Sequence, residues 1–166
     1  MPQKTDREYR AFEVRADEER KAVKGYATTF NQPYVLYEDG EYQVREIIDE
    51  NAFDECDLSD VIMQYNHEGR VFARNTNGTL NLTIDKPNGL LIDADLGGTE
   101  LGGQVYEEIK GGYTDKMSMG FKVDRSADVW TRADRRKGDR NKADKQNHKI
   151  IRRFRCFYSR KRQHIY

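Results

Sequence analysis

Residues 80–96 read Leu80-Asn81-Leu82-Thr83-Ile84-Asp85-Lys86-Pro87-Asn88-Gly89-Leu90-Leu91-Ile92-Asp93-Ala94-Asp95-Leu96. Leu80, Leu82 and Ile84 fall on every second position, and the period of two returns at Leu90, Ile92, Ala94 and Leu96. An extended chain turns alternate side chains to opposite faces, so each arm carries one apolar face. Pro, Asn and Gly sit between the arms, and the stretch predicts a β-hairpin with one side on a core. The same signal spreads in both directions. Residues 9–14, 23–30 and 42–48 are rich in aromatic and β-branched residues and predict further strands. Val61, Met63 and Tyr65 share a face just before Asn66-His67, and Met117, Met119 and Phe121 alternate with Ser118, Gly120 and Lys122.

One helix is predicted over residues 99–110, where Leu101, Val105 and Ile109 recur at spacing four and Gly111-Gly112 supplies a stop. Gly102 and Gly103 weaken that helix. Residues 47–54 predict a strand running into a short helical turn anchored by Phe53. Residues 126–147 are nearly all charged or small and read as a loop or disordered insert. The fold class is therefore β-rich α+β, and 166 residues with 36% hydrophobic content are enough for one core.

The formal net charge of zero is a cancellation. Residues 1–124 hold 14 Lys and Arg against 25 Asp and Glu, whereas residues 125–166 hold 15 against 4. A basic tail can contact nucleic acid by releasing phosphate counterions, and it can equally be a solvated, poorly packed end. Cys56 and Cys156 form no metal-ligand spacing and no disulfide framework, which fits a reduced cytosolic setting. No apolar leader and no run long enough to span a bilayer is present, so a soluble protein with no membrane partner is expected. Nothing in the residues asks for a metal, nucleotide or organic cofactor.

His67, His148 and His164 are the only imidazoles. His67 follows a predicted strand, where substrate could reach it, but its position alone does not separate a catalyst from a surface residue. Ser118 lies between Met117 and Met119 with Gly120 two residues on, which leaves room for an approaching backbone. The same pattern suits a tightly packed sheet. No Gly-x-Ser-x-Gly elbow occurs, so an α/β-hydrolase is not supported.

Several motifs taken together go further. Gly25-Tyr26-Ala27-Thr28-Thr29-Phe30-Asn31, Glu46-Ile47-Ile48, Asn51-Ala52-Phe53-Asp54, Tyr65-Asn66-His67, Thr76-Asn77-Gly78-Thr79-Leu80, the second arm of the hairpin and Met117-Ser118-Met119-Gly120-Phe121 occur in one order and spacing. In this the chain resembles the prohead proteases of tailed phages over roughly residues 20–125, leaving 1–19 as a lead-in with the first strand and 126–166 as a charged insert and basic tail. The resemblance implies a compact β-barrel flanked by one or more helices, similar to the herpesvirus assembly proteases. It implies a serine endopeptidase of capsid maturation, with Ser118 as nucleophile and His67 as base. The partners it implies are the major capsid protein with its scaffold segment, the chain itself through autoprocessing, and further copies in a homo-oligomer, all inside the assembling prohead in the bacterial cytoplasm. Met119 stands where relatives usually carry an aromatic residue.

The tail departs from the family. Relatives carry an apolar-acidic-Val-Ser strand near the C-terminus, whose carboxylate is the expected third member of the site. Here residues 154–160 read Phe-Arg-Cys-Phe-Tyr-Ser-Arg, and no Asp or Glu follows Lys145. So many arginines make a poor central strand, since buried charge needs partners. A one-base shift of reading frame over these residues can restore Phe-Asp-Val-Ser, so the tail is a candidate frameshift product. Asp54, Glu68 and His148 remain as substitutes, with none favoured by the pattern. Three readings stand: a protease, a catalytically impaired assembly factor of the same fold, and a β-rich domain of no assigned function.

Overall fold

Alternating apolar residues become strands along most of the chain. The computed structural model describes residues 8–17, 19–38, 42–65, 68–121, 128–132, 146–152 and 163–165. Its strands are β1 (Glu8–Asp17), β2 (Ala22–Thr29), β3 (Pro33–Glu38), β4 (Tyr42–Ile48), β5 (Val61–Gln64), β6 (Val71–Arg74), β7 (Leu80–Asp85), β8 (Gly89–Asp95), β9 (Lys116–Phe121), β10 (Asp128–Arg132), β11 (Gln146–Arg152) and β12 (Gln163–Ile165). Among the described residues one α-helix, α1 (Glu100–Lys110), stands between β8 and β9.

Eight strands make one sheet in the order β6-β5-β12-β9-β1-β2-β8-β7, and four make a second, β10-β11-β4-β3. The larger sheet cannot be flat. Eight strands at ordinary spacing would hold the outer strands β6 and β7 roughly 34 Å apart. Only residues 75–79 link those two strands, through the 3-10 turn Asn75–Asn77, and so short a link reaches about 20 Å at most. The sheet therefore curls into a half barrel. The link is tied at its base, where the Arg74 amide donates to Thr79 Oγ1 at 2.8 Å and the Thr79 amide donates to the Arg74 carbonyl at 3.2 Å.

The concave side is filled by the residues that the alternation selects. Leu80, Leu90, Ile92, Ala94 and Leu96 are buried, as are Met117, Met119 and Phe121. Phe53 anchors the turn after β4, its ring centroid 5.7 Å from that of Phe30. Helix α1 begins at Thr99, whose Oγ1 accepts from the Gly102 amide at 3.0 Å, and it buries Val105, Tyr106 and Ile109. Tyr106 donates its hydroxyl to the Asp17 carbonyl at 3.1 Å and so ties the helix to the end of β1.

Other elements go beyond the period-two reading. β3 is an edge strand that opens on Pro33, where a missing N–H costs no ladder bond. β10 stands within the stretch read as an insert, on the β-forming residues Val129, Trp130 and Thr131. β12 pairs in parallel with β5 and antiparallel with β9. Residues 154–160 lie outside the described residues. Cys56 is disulfide-bonded, which corrects the expectation of a chain without a disulfide, and Cys156 lies outside the described residues. Cys56 stands in no CxxC pair, so the sequence carries no spacing signal from which a disulfide there could be read.

Candidate active site

Ser118 sits in the middle of β9, half-buried between two core methionines and directly opposite Ala11 of β1. Met117 and Met119 are 2% and 3% exposed, so they fix the strand against the core from one face. Gly25 of β2 makes the space for Met117: a Cβ there would lie 2.5 Å from Met117 Cε and 2.6 Å from the Glu13 carbonyl oxygen. The residue preceding Ser118 is thus seated by a glycine two strands away.

Ser118 lines a cleft of about 330 Å³ that dips into the core between the sheet and α1. Val14, Met63, Phe72 and Met117 line it from the sheet, and Val105 and Ile109 from the helix. All six are buried. The remaining lining residues are Ser118, Lys116, Thr114, Gln64 and Tyr65. Apolar depth with a few convergent polar groups is the usual make-up of a ligand cleft.

The end of β5 reaches the same cleft. Gln64 donates from Nε2 to the Gly69 carbonyl at 2.9 Å, and the Glu68 amide donates to the Tyr65 carbonyl at 3.1 Å. These two bonds close the loop between β5 and β6. Asn66 and His67 fall within that loop and lie outside the described residues. Below it, Arg74 makes a two-pronged bond to Asp60, Nε to Oδ1 at 2.7 Å and Nη2 to Oδ2 at 2.6 Å. Bonding to Asp60 raises the Arg74 guanidinium further above its ordinary value. Asn75 accepts from the Val61 amide at 2.8 Å and donates to the Leu58 carbonyl at 2.6 Å, which fixes where β5 starts.

The substitutes for a third member are dispersed. Asp54 pairs with Lys86 at 2.6 Å, and Glu68 is exposed in the loop. His148 belongs to β11 in the smaller sheet. His164, which the sequence offers only as a tail residue, stands in β12 opposite Gly120 and opposite Ile62. Gln64 was not legible as part of a site, because the burial of its whole four-residue strand is a property of the fold and leaves no mark in the sequence. No group of three or more His, Cys, Asp or Glu that could hold a metal ion occurs among the described residues. No helix there is long and apolar enough to cross a membrane.

Residues 10–147 match the family described as caudovirus prohead serine protease. The chain belongs to that family. The match takes in both Ser118 and the loop that carries His67, and the family's chemistry is that of a serine protease acting in phage prohead maturation. No curated protein and no solved structure matches this prohead protease.

Proposed function

We propose that the chain is the endopeptidase that cleaves the scaffold segment of the major capsid protein, and itself, inside the assembling prohead, with Ser118 as nucleophile and His67 as base. The carrying observation is that Ser118 and Tyr65 line one cleft, with His67 two residues beyond Tyr65. The strand register supports the pairing. Met63, Ile165 and Met119 share one rung across β5, β12 and β9, so Ser118 lies one residue past that rung and only two strand spacings from β5, roughly 9.5 Å.

His67 takes the hydroxyl proton as Ser118 Oγ attacks the scissile carbonyl carbon. The amine leaves with that proton, and an ester remains on Ser118. Water, deprotonated by the same imidazole, then hydrolyses the ester and restores both groups. The partners in this reading are the capsid protein, further copies of the chain, and nucleic acid at the basic tail. The place of action is the prohead within the host cytoplasm.

Co-expression with the capsid protein tests the reading. The wild-type chain should shorten the capsid protein, and Ser118→Ala and His67→Ala should each leave it intact. Shortening that persists in Ser118→Ala removes Ser118 as nucleophile.

One observation favours a second reading, an assembly factor with impaired catalysis: no Asp or Glu follows Lys145. Loss of an orienting carboxylate in a serine protease costs on the order of 10⁴ in turnover. In that case proheads form while the wild-type chain and both variants all leave the capsid protein uncut. The nucleotide sequence decides whether a shifted frame produced the tail: an acidic-Val-Ser pattern one base later would establish it.

A further inference from the structure

We infer that the cleft beside Ser118 selects a large apolar side chain on the acyl side of the scissile bond, an inference that rests on the assignment of Ser118 as nucleophile. The acyl residue's side chain is attached one bond from the carbonyl that Ser118 attacks, so it occupies the recess nearest that oxygen. That recess is about 330 Å³, room for about ten waters and so for one side chain of the largest class. Its depth is built from Met63, Phe72, Met117, Val105 and Ile109, each buried in the core.

A charged or amide side chain placed there would lose its water and face hydrocarbon. A leucine, methionine or phenylalanine side chain would bury its surface against these groups at about 25 cal/mol per Å². The polar residues Thr114 and Lys116 also line the cleft, where the substrate backbone can pass without crossing the apolar depth. Thr114 is half-buried in the loop between α1 and β9.

Serine-directed peptidyl phosphonates that differ only in the acyl-side side chain test this on the full chain, with labelling rates read by intact mass and the labelled residue found by peptide mapping. The leucine and phenylalanine analogues should label Ser118 at least about tenfold faster than the alanine, aspartate and lysine analogues, the usual discrimination of an apolar pocket. Thr114→Phe, which enlarges a residue of the cleft wall, should cut the leucine-to-alanine rate ratio to below about threefold, and an undiminished ratio overturns the inference. Equal rates across the panel, or a faster aspartate or lysine analogue, with the label on Ser118, overturn the inference and leave Ser118 as nucleophile. Absence of label on Ser118 from every analogue overturns both.

Discussion

Gln64 ends a strand whose four residues, Val61, Ile62, Met63 and Gln64, are all buried. Its amide is spent on the Gly69 carbonyl, and Gly69 holds φ of +80°, a conformation that favours glycine. The bond therefore closes the loop that carries His67 instead of reaching toward solvent. Gln64→Leu keeps the side chain's size and removes the clamp. Under the proposed assignment of His67 as base, it should lower kcat on a capsid-derived peptide by about tenfold to a hundredfold with KM within about twofold, because misplacing a catalytic group costs rate more than binding. A change confined to KM would remove Gln64 as a positioning residue. A second residue-scale expectation concerns acid. Asp17 accepts from Arg20 and lies 3.9 Å from Lys24, and the Arg20 bond above all holds its carboxyl below the usual value of 3.8. A lowered folded value means that the stabilisation is complete above pH 3.8 and is lost as pH falls through the lower folded value. Asp17→Asn should flatten the dependence of the denaturation midpoint on pH in that acid window and leave the dependence near neutrality unchanged. The exposure of the partners keeps the effect small. Of these residues the sequence marks Ser118 and His67 only through the order of several motifs, and it marks Gln64 not at all, since the identity of a hydrogen-bond partner is a property of the folded loop.

Helix α1 shows how an element can be read correctly for an incomplete reason. Leu101, Val105 and Ile109 predict it, while Gly102 and Gly103 argue against it by propensity alone. The two glycines have different surroundings. A Cβ on Gly102 would lie 2.4 Å from the Leu96 carbonyl oxygen, whereas one on Gly103 would meet nothing closer than Lys21 Nζ at 3.8 Å. Gly102 is what allows the first turn of the helix to lie against the end of β8, and Gly103 has no such duty. Gly103→Ala should therefore stabilise the protein by up to about 1 kcal/mol through helix propensity. Gly102→Ala should destabilise it by about 1–3 kcal/mol, because overpacking against backbone outweighs the same propensity gain. Denaturant titration of the two variants checks both signs, and equal effects would refute the distinction. The hairpin β7–β8, the strands β1, β2, β4, β5 and β9, and this helix are legible because each carries apolar residues at the spacing of its own secondary structure. The edge strand β3 is not, because Val35 and Leu36 are both exposed and no alternation results. β10 and β11 escape the same reading because the charged residues around them hide a short β-forming core.

At the scale of the whole molecule the half barrel has a seam. Among the described residues β5 and β6 join the other strands of the large sheet through β12 alone: β12 pairs with β5 on one side and with β9 on the other, and β6 is the outer strand. The remaining links to that pair are the turn Asn75–Asn77 and side-chain packing around Phe72 and Met63. A three-residue strand near the end of the chain thus sets the spacing between β5, which leads into the His67 loop, and β9, which carries Ser118. The basic composition of the tail gives no hint of this, since the pairing is a backbone matter and leaves no period in so short a strand. Deleting residues 163–166 should leave the strands from β1 to β8 paired and open the seam. Backbone amides of β5 should then exchange with solvent faster than those of β2 and β8, and peptide cleavage should fall by more than about tenfold while far-UV circular dichroism changes little. Ile165→Pro, which removes one donor from the ladder without shortening the chain, should give the same order of effects in weaker form. Cleavage at the wild-type rate in the deletion would show that packing around Phe72 and Met63 suffices to hold the two strands in place. Faster exchange of β5 with cleavage unchanged would separate the seam from the site and confine β12 to a structural role.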